Sequence, residues 1–463
     1  MRKELEKTWT TRPTEVVGGP TESMFTKVDG LEFLLGQSRF DLIFKYLYAK
    51  NPGNSYAKDA YLESIKAFNM FVERGKVNGQ TKAVKNGVCD FVEAFDRLIH
   101  RCRHCGVRVL NQVPVQKNGG YLLNGAHRLA VAAALGGSIE LSEVDAKNAP
   151  DYGYGLFHRR KMPVEVMDYG ALEFVKLNKN ARIVNLFPVA DPGKDKAVEE
   201  ILNRHGFTYY RKPIDGLNMN GMVNLTKLMY SENGKRERWI GSQRSSFKGA
   251  VEHAMTKMVC STTTPMRVYV FVCNDGEDID AIKEEIRALF KIGNSSVHIN
   301  DTHEGSVELA SIYFNKNSLD LINKRDYRME TTELDKKIDE FKSEVLAKGG
   351  NLDDFILTGS LPLEAYGIRK ARDFDYLSTS NIELDGDFNS HDSQLKYYPT
   401  GKCRLIENPR NFFWHRGVKF LSMGNLVQMK KNRAEIGKDD LDCKSIMKLC
   451  PPMIELPDIE VGG

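Results

Sequence analysis

What the chain lacks narrows its class before any motif is read. No run approaches the roughly 18 consecutive apolar residues that a membrane-spanning helix needs. The longest apolar stretch, residues 129–135, is short and rich in alanine. Residues 1–15 are polar, with no apolar centre of a secretory leader, so a cytoplasmic protein without a membrane span is expected. Charge of one sign is scarce too: Lys+Arg 66 against Asp+Glu 62 leave a net +4 over 463 residues. A dedicated nucleic-acid binder carries far more, so nucleic acid is not expected as a partner. The eight cysteines are scattered without a disulfide framework. Cys102 and Cys105 form a lone Cys-x-x-Cys with no second ligand pair at matching spacing, so that segment reads as the basic end of a helix rather than a zinc site. There is no internal repeat and no low-complexity tract.

What is present is a globular composition. Hydrophobic residues at 41% and charged residues at 28% provide for packed cores. The length fits about three domains, and breaks in the pattern place them. Residues 1–30 read as a polar tail with a Gly18-Gly19-Pro20 breaker, and residues 451–463 as a second tail. Between them lie an α/β domain with a helical N-terminal part (31–180), an α+β domain (181–328) and a further α/β domain (329–450). In the first, apolar residues at three- and four-residue spacing over 90–99 make an amphipathic helix ending near Gly106. Residues 107–115 alternate like a strand, 121–123 form a second short strand, and an alanine-rich helix follows Asn124-Gly125. In the second, the order βαβ(α)βαβα predicts an antiparallel sheet of ferredoxin type. In the third, a charged helix precedes the strand Phe355-Ile-Leu357.

The most specific pattern lies there: Gly359-Ser360, twelve intervening residues, then Asp373-Phe-Asp375. A glycine-serine turn lets backbone N–H groups and the hydroxyl approach a triphosphate. Carboxylates at alternate strand positions face the same way, so Asp373 and Asp375 can share a divalent ion. The bland alternative is a turn followed by a solvated acidic strand. Residues 357–377 resemble the nucleotidyltransferase superfamily of the polymerase-β type. The resemblance implies Mg²⁺ or Mn²⁺ at Asp373 and Asp375, a nucleoside triphosphate donor on Gly359 and Ser360, and Arg369, Lys370 or Arg372 to balance charge. The third carboxylate usual in that superfamily is missing from the best later strand, 417–421, which offers Lys419. Glu383, Asp385 and Asp387 are the nearest substitutes, outside the expected strand context. Residues 429–433 and 438–442 are similar to helical lysine and aspartate elements of small nucleotidyltransferases.

A second pattern is Ser296-Val-His-Ile-Asn-Asp-Thr-His-Glu304, with Phe314 sixteen residues after His298. The plain reading makes Asp301 a helix cap and Glu304 the end of a capping box. The sharper one makes His298 a nucleophile beside a helix N-terminus. The segment resembles the active site of nucleoside diphosphate kinases, which implies His298 as phosphate acceptor and Arg287 as a phosphate-binding residue. Phe187-Pro188 stands where that family has a lysine, and Leu309 where it has the carboxylate that orients the histidine, with Glu308 one residue away.

A third pattern is Leu123-Asn-Gly-Ala-His-Arg-Leu-Ala130. A turn glycine and an early arginine on a small-residue helix make a phosphate cradle; a helix start with a surface arginine is the alternative. It looks like the Gly-x-His-Arg element of the ParB/sulfiredoxin-like fold, which implies nucleotide contacts from Gly125, His127 and Arg128. No general base can be placed from Gln112, His127 and Asp145. The aromatic run 151–158 reads equally as a lid or stacking surface or as a mobile loop.

The three resemblances share nucleotide phosphates. Together they imply a Mg²⁺-dependent transferase, a kinase or nucleotidyltransferase, acting from a nucleoside triphosphate on a small metabolite or sugar phosphate. The combination is similar to uncharacterised proteins of bacterial surface-glycan gene clusters and large viruses. A nucleotide sensor or scaffold with decayed sites is the first alternative and a DNA-associated ParB-like regulator the second. An oligomer is compatible with the sequence.

Overall fold

A computed structural model describes residues 26–77, 80–117, 120–146, 151–230, 264–329, 331–435 and 437–449. The chain is mixed α/β with several sheets, and no described helix is long and apolar enough to cross a membrane. It divides into two compact units. One holds the residues up to Lys179 with Phe207–Tyr210, the other Asn180–Gly206 with the residues from Arg211 onward.

The first unit contains β1 (Thr26–Asp29), β2 (Val72–Val77), β3 (Gln80–Asn86), β4 (Val113–Gln116) and β5 (Ser138–Val144). Its helices are α1 (Gly30–Leu35), α2 (Asp41–Lys50), α3 (Ser55–Asn69), α4 (Val88–Cys105), α5 (Ala126–Ala134), α6 (Tyr154–Arg159) and α7 (Val164–Leu177). A three-stranded sheet runs β1-β5-β4, with β1 antiparallel and β4 parallel to β5. In α4 the residues Phe91, Ala94, Phe95, Leu98, Ile99 and Cys102 are buried, the three-and-four spacing of an amphipathic helix. Gly106 follows at φ +74°, the left-handed geometry that glycine adopts freely after a helix. In α5 every residue but His127 and Arg128 is buried, because small side chains allow close approach from all sides.

Here the structure departs from the sequence reading in four places. Thr26–Asp29, within the expected tail, pair with β5. Val107–Val109 coil into a 3-10 turn, so the strand begins only at Val113. Residues 121–123 contribute a single bridge, Leu122 to Val115. The aromatic run folds into α6, with Phe157 buried against Phe40.

The second unit begins with β6 (Ala181–Leu186), α8 (Asp195–Arg204), the parts of β7 (Gly206–Ile214) outside Phe207–Tyr210, α9 (Met219–Met229), β8 (Met266–Cys273), α10 (Ile279–Phe290) and β9 (Val297–Ile299). Their sheet runs β7-β8-β6-β9, and β6 is antiparallel to both β8 and β9. Every residue of β8 is buried, the apolar run 268–272 and Arg267 alike. Val198, Ile201 and Leu202 of α8 and Ile282, Ile286 and Phe290 of α10 share one core with Val184, Tyr269, Phe271 and Ile299.

Helices α11 (His303–Tyr313) and α12 (Lys316–Lys324) lead to α13 (Thr332–Ala347), β10 (Phe355–Leu357), α14 (Leu361–Ala365), β11 (Phe374–Ser378) and β12 (Phe388–Ser390). After them come α15 (Lys402–Glu407), β13 (Phe412–His415), β14 (Val418–Leu421), α16 (Met423–Arg433) and α17 (Lys438–Leu449). The second sheet runs β12-β11-β10-β14-β13. The β10/β11 and β13/β14 pairs are antiparallel, and the β10/β14 and β11/β12 pairs parallel. Leu334, Ile338, Phe341 and Val345 form the buried stripe of α13. Phe341 meets Phe355, Phe374, Tyr376 and Phe388 at 5.3–6.0 Å, tying β10, β11 and β12 to one helix. The two sheets are linked through α12: Trp414 N donates to Ser318 Oγ at 2.8 Å, and Asn317 Nδ2 to Phe412 O at 3.0 Å.

Candidate functional site

The glycine-serine turn follows the wholly buried strand β10. Gly359 has φ +62°, and a Cβ placed on it would lie 1.9 Å from Asp375 Oδ2. Only a residue without a side chain lets the Asp375 carboxylate rest on the turn. Antiparallel register sets Leu357 opposite Tyr376, and Thr358 N donates to Asp375 O at 2.9 Å. Ser360 is buried and its carbonyl accepts from Leu363 N and Glu364 N, opening α14. Asp373 is exposed in the bend just before β11, short of the strand position the sequence suggests, and Asp375 is half-buried on the strand two residues on. Burial, with the neighbouring charge of Asp373, raises the Asp375 carboxyl above its ordinary value; Lys438, Arg433 and Lys430 oppose the shift.

Those cations belong to an ordered network. Lys430, almost wholly buried, is 3.2 Å from Asp439 and 2.8 Å from Asp442. Arg433 takes both oxygens of Asp439, at 2.9 and 2.6 Å. Arg369 takes both oxygens of Asp442, at 2.7 Å each. Against the burial that would raise it, hydrogen bonding from Arg433 holds Asp439 at about 2. Arg369 is therefore a bidentate partner of Asp442, Lys370 pairs with Glu333 at 2.6 Å, and Arg372 is exposed next to Asp373. Glu364 Oε2 accepts from Ala371 N at 2.9 Å, which pins the loop that carries Asp373.

Lys419 takes no part in this cluster: its ammonium donates to Asp353 O at 2.6 Å and Ile406 O at 2.9 Å. Asp385 pairs with Lys348 at 2.8 Å, while Glu383 and Asp387 are exposed. Among the described residues no three His, Cys, Asp or Glu side chains gather as a metal site. Asp373 and Asp375 are the two carboxylates here that could hold a metal ion. That pair suits Mg²⁺, which is held by one or two carboxylates plus substrate phosphates and keeps its remaining waters.

Two further side chains lie beside Thr358, which precedes the turn, and no motif marks either. Tyr398 OH lies 2.6 Å from Thr358 Oγ1 and 2.6 Å from His391 Nδ1. Burial, aided by the charges of Arg433 and Lys430, pushes His391 down to about 4. Burial raises the Tyr398 phenol above its usual range, with Asp375 adding to the shift.

In the other sheet of this unit, His298 lies on β9 opposite Asn185 of β6. Asn185 Nδ2 donates to His298 O at 3.3 Å and Tyr313 OH to Asn185 Oδ1 at 2.6 Å. The Tyr230 ring stands edge-on to His298 at 5.0 Å, and Arg287 is close enough for its charge to act on Tyr230. Arg287 itself pairs with Glu284 at 2.6 Å. The cap of α11 is Thr302, which accepts from Gly305 N, and not Asp301. Asp301 instead binds the buried Lys283 at 2.6 Å. Phe187-Pro188 stand directly after β6, and Arg267 of β8 reaches Phe187. The donors of Arg267 are taken by Ala190 O at 2.7 Å, Phe187 O at 3.5 Å and Asp195 at 3.1 Å.

In the first unit, Gly125 precedes α5 at φ +87°, where a Cβ would meet Val113 Cγ1 at 2.6 Å. Arg128 Nη1 donates to Asn111 O at 3.1 Å and Gln112 O at 2.7 Å, fastening the approach to β4. His127 Nε2 lies 3.1 Å from Tyr61 OH, with the Phe95 ring at 4.6 Å. Burial, with the charges of Lys45 and Lys85, holds its imidazole well below the ordinary value. Nearby is a buried triad, in which Asp41 binds Arg39 at 2.9 Å and Lys45 at 2.6 Å.

No family model, curated protein or solved structure matches the chain.

Proposed function

We propose that the second unit is a nucleotide-dependent transferase. It takes a nucleoside triphosphate with Mg²⁺ or Mn²⁺ at Gly359, Ser360, Asp373 and Asp375 and moves a phosphoryl or nucleotidyl group to a small metabolite or sugar phosphate. One observation carries the reading: the Asp375 carboxylate rests on a side-chain-free turn, with Asp373 beside it and Lys430, Arg433 and Lys438 within electrostatic reach. A carboxylate whose proton affinity is raised by burial and by a like charge beside it is a waiting donor for a cation. The ion, when bound, supplies charge neutralisation for the phosphates and a more acidic attacking hydroxyl.

The chain's own groups do the rest. The turn presents backbone N–H groups to phosphate oxygens. Lys438 adds positive charge where negative charge grows in the transition state, while Arg433 stays bound to both oxygens of Asp439. Arg369, locked on Asp442, holds the Asp373 loop in place rather than contacting phosphate. His298, with Arg287 and Tyr230 near it, is the second phosphate-handling candidate. The strand order β7-β8-β6-β9, all antiparallel where pairing is defined, supports the ferredoxin-type reading of its sheet.

One observation favours the sensor alternative. With Lys419 committed to backbone carbonyls, two carboxylates remain, and such a site can hold nucleotide without turning it over. Incubation with ATP, CTP, GTP and UTP plus Mg²⁺, following pyrophosphate, nucleoside diphosphate and protein-bound phosphate, separates the two. Turnover lost on Asp373→Ala with Asp375→Ala is expected. Binding without turnover across a panel of sugar phosphates would move the assignment to the sensor.

A further inference from the structure

We propose that Tyr398 and His391 are positioning residues for the nucleotide site, holding the Gly359-Ser360 turn in register with the strand that carries Asp375. The proposal rests on the nucleotide reading above and extends it to residues outside the motif.

The contacts form a closed circuit. Thr358 N donates to Asp375 O at 2.9 Å. The next residue of that strand, Tyr376, accepts at its carbonyl from His391 N at 2.8 Å. His391 Nδ1 meets Tyr398 OH at 2.6 Å, and Tyr398 OH meets Thr358 Oγ1 at 2.6 Å. The circuit therefore begins and ends on the two segments whose spacing defines the site. All three side chains in it are buried, with Thr358 at 0%, Tyr398 at 7% and His391 at 9% exposure.

A fold that needed only packing here would place Val, Phe and Leu at these positions, since polar groups add desolvation cost without adding volume. What polar partners add is direction. A phenol has one proton and fixed reach, so it sets the distance between Thr358 and His391 more narrowly than apolar contact does. Burial, with Arg433 and Lys430 nearby, keeps His391 neutral, which leaves its Nδ1 and the phenol to share a single neutral hydrogen bond.

The test uses the full chain, with Mg²⁺-dependent nucleoside triphosphate binding by calorimetry and thermal unfolding measured in parallel. Tyr398→Phe and Thr358→Val each remove one partner and are expected to weaken binding about tenfold, the equivalent of one lost hydrogen bond. The double variant should bind no worse than Tyr398→Phe alone, because that change already removes the Thr358 contact together with the one to His391. His391→Asn, which keeps a polar atom near Nδ1, should bind better than His391→Leu. If Tyr398→Phe does not fold, Thr358→Ser against Thr358→Val decides, with serine expected to retain affinity and valine to lose it. Unchanged affinity beside a lowered unfolding temperature overturns the proposal alone. Absence of Mg²⁺-dependent binding in the wild type overturns it together with the nucleotide reading.

Discussion

The carboxylate of Asp375 lies directly against the α-carbon of Gly359, so close that a Cβ would come within 1.9 Å of Oδ2. Sequence places these residues on either side of a helix and a loop; the sheet brings them into contact.

Gly359→Ala is therefore expected to cost about 1–3 kcal/mol from overpacking and positive φ, and to abolish metal-dependent nucleotide binding by displacing Asp375. Gly401→Ala is the control, since a Cβ there would have no atom within 4 Å and the φ is −65°. Urea unfolding and calorimetry distinguish the two substitutions. Equal behaviour of both would refute the contact as a constraint.

The buried ion network behind the site should be sensitive to the loss of one member. Asp442→Ala leaves Lys430 and Arg369 without their shared carboxylate and is expected to cost about 3–5 kcal/mol. The exposed pair Lys444 and Asp440, at 2.6 Å, is worth about 0–1 kcal/mol, so Asp440→Ala should barely register. Hydrogen exchange in α16 and α17 reads this locally.

A similar contrast holds in the first unit. Asp41→Asn leaves Arg39 and Lys45 buried together without a counter-charge, for a cost of about 3–5 kcal/mol. Lys45→Met should cost less, because burial already disfavours the ammonium form of Lys45. Amide protection in α2 should fall for the first substitution far more than for the second.

Acid should weaken the second unit in a defined window. Burial holds both His391 and His415 at about 4 when folded, against about 6.5 unfolded. Between those values the unfolded chain binds more protons than the folded one, so stability is fully present above about 6.5 and is lost as pH falls towards 4. The expected slope is about 1.4 kcal/mol per pH unit for each imidazole. Below that, Asp439, held at about 2, begins to lose its contribution as it protonates. Urea midpoints followed from neutral pH down into the acid window should flatten when His415→Asn removes one of the two imidazoles; an unchanged slope would contradict the burial argument.

The parts of the fold legible in the sequence are those with local signatures. The apolar run of β8, the stripe of α13 and the Gly106 stop of α4 all read directly from spacing. The hairpin β2–β3 is not among them, because its strands are charged and alternate weakly, although Asn78-Gly79 between them is a hairpin signal. Strand β1 is hidden for a similar reason: four residues with little apolar content are strand only because β5 pairs with them. Of the candidate site, Gly359, Ser360, Asp373 and Asp375 can be found from spacing. His391 and Tyr398 cannot, since their partner Thr358 lies 33 and 40 residues earlier in the chain and each is defined by a contact, not a motif. Arg369 and Arg128 are legible as basic residues near phosphate motifs. Their commitment to Asp442 and to the carbonyls of Asn111 and Gln112 depends on tertiary approach.

The most direct test of the central claim is Mn²⁺ binding followed by electron paramagnetic resonance, with one nucleoside triphosphate at a time. Wild-type protein is compared with Asp373→Asn plus Asp375→Asn at matched nucleotide. The account predicts a protein-bound Mn²⁺ signal that nucleotide strengthens in the wild type and that the double variant lacks. Equal Mn²⁺ binding by both proteins would contradict it.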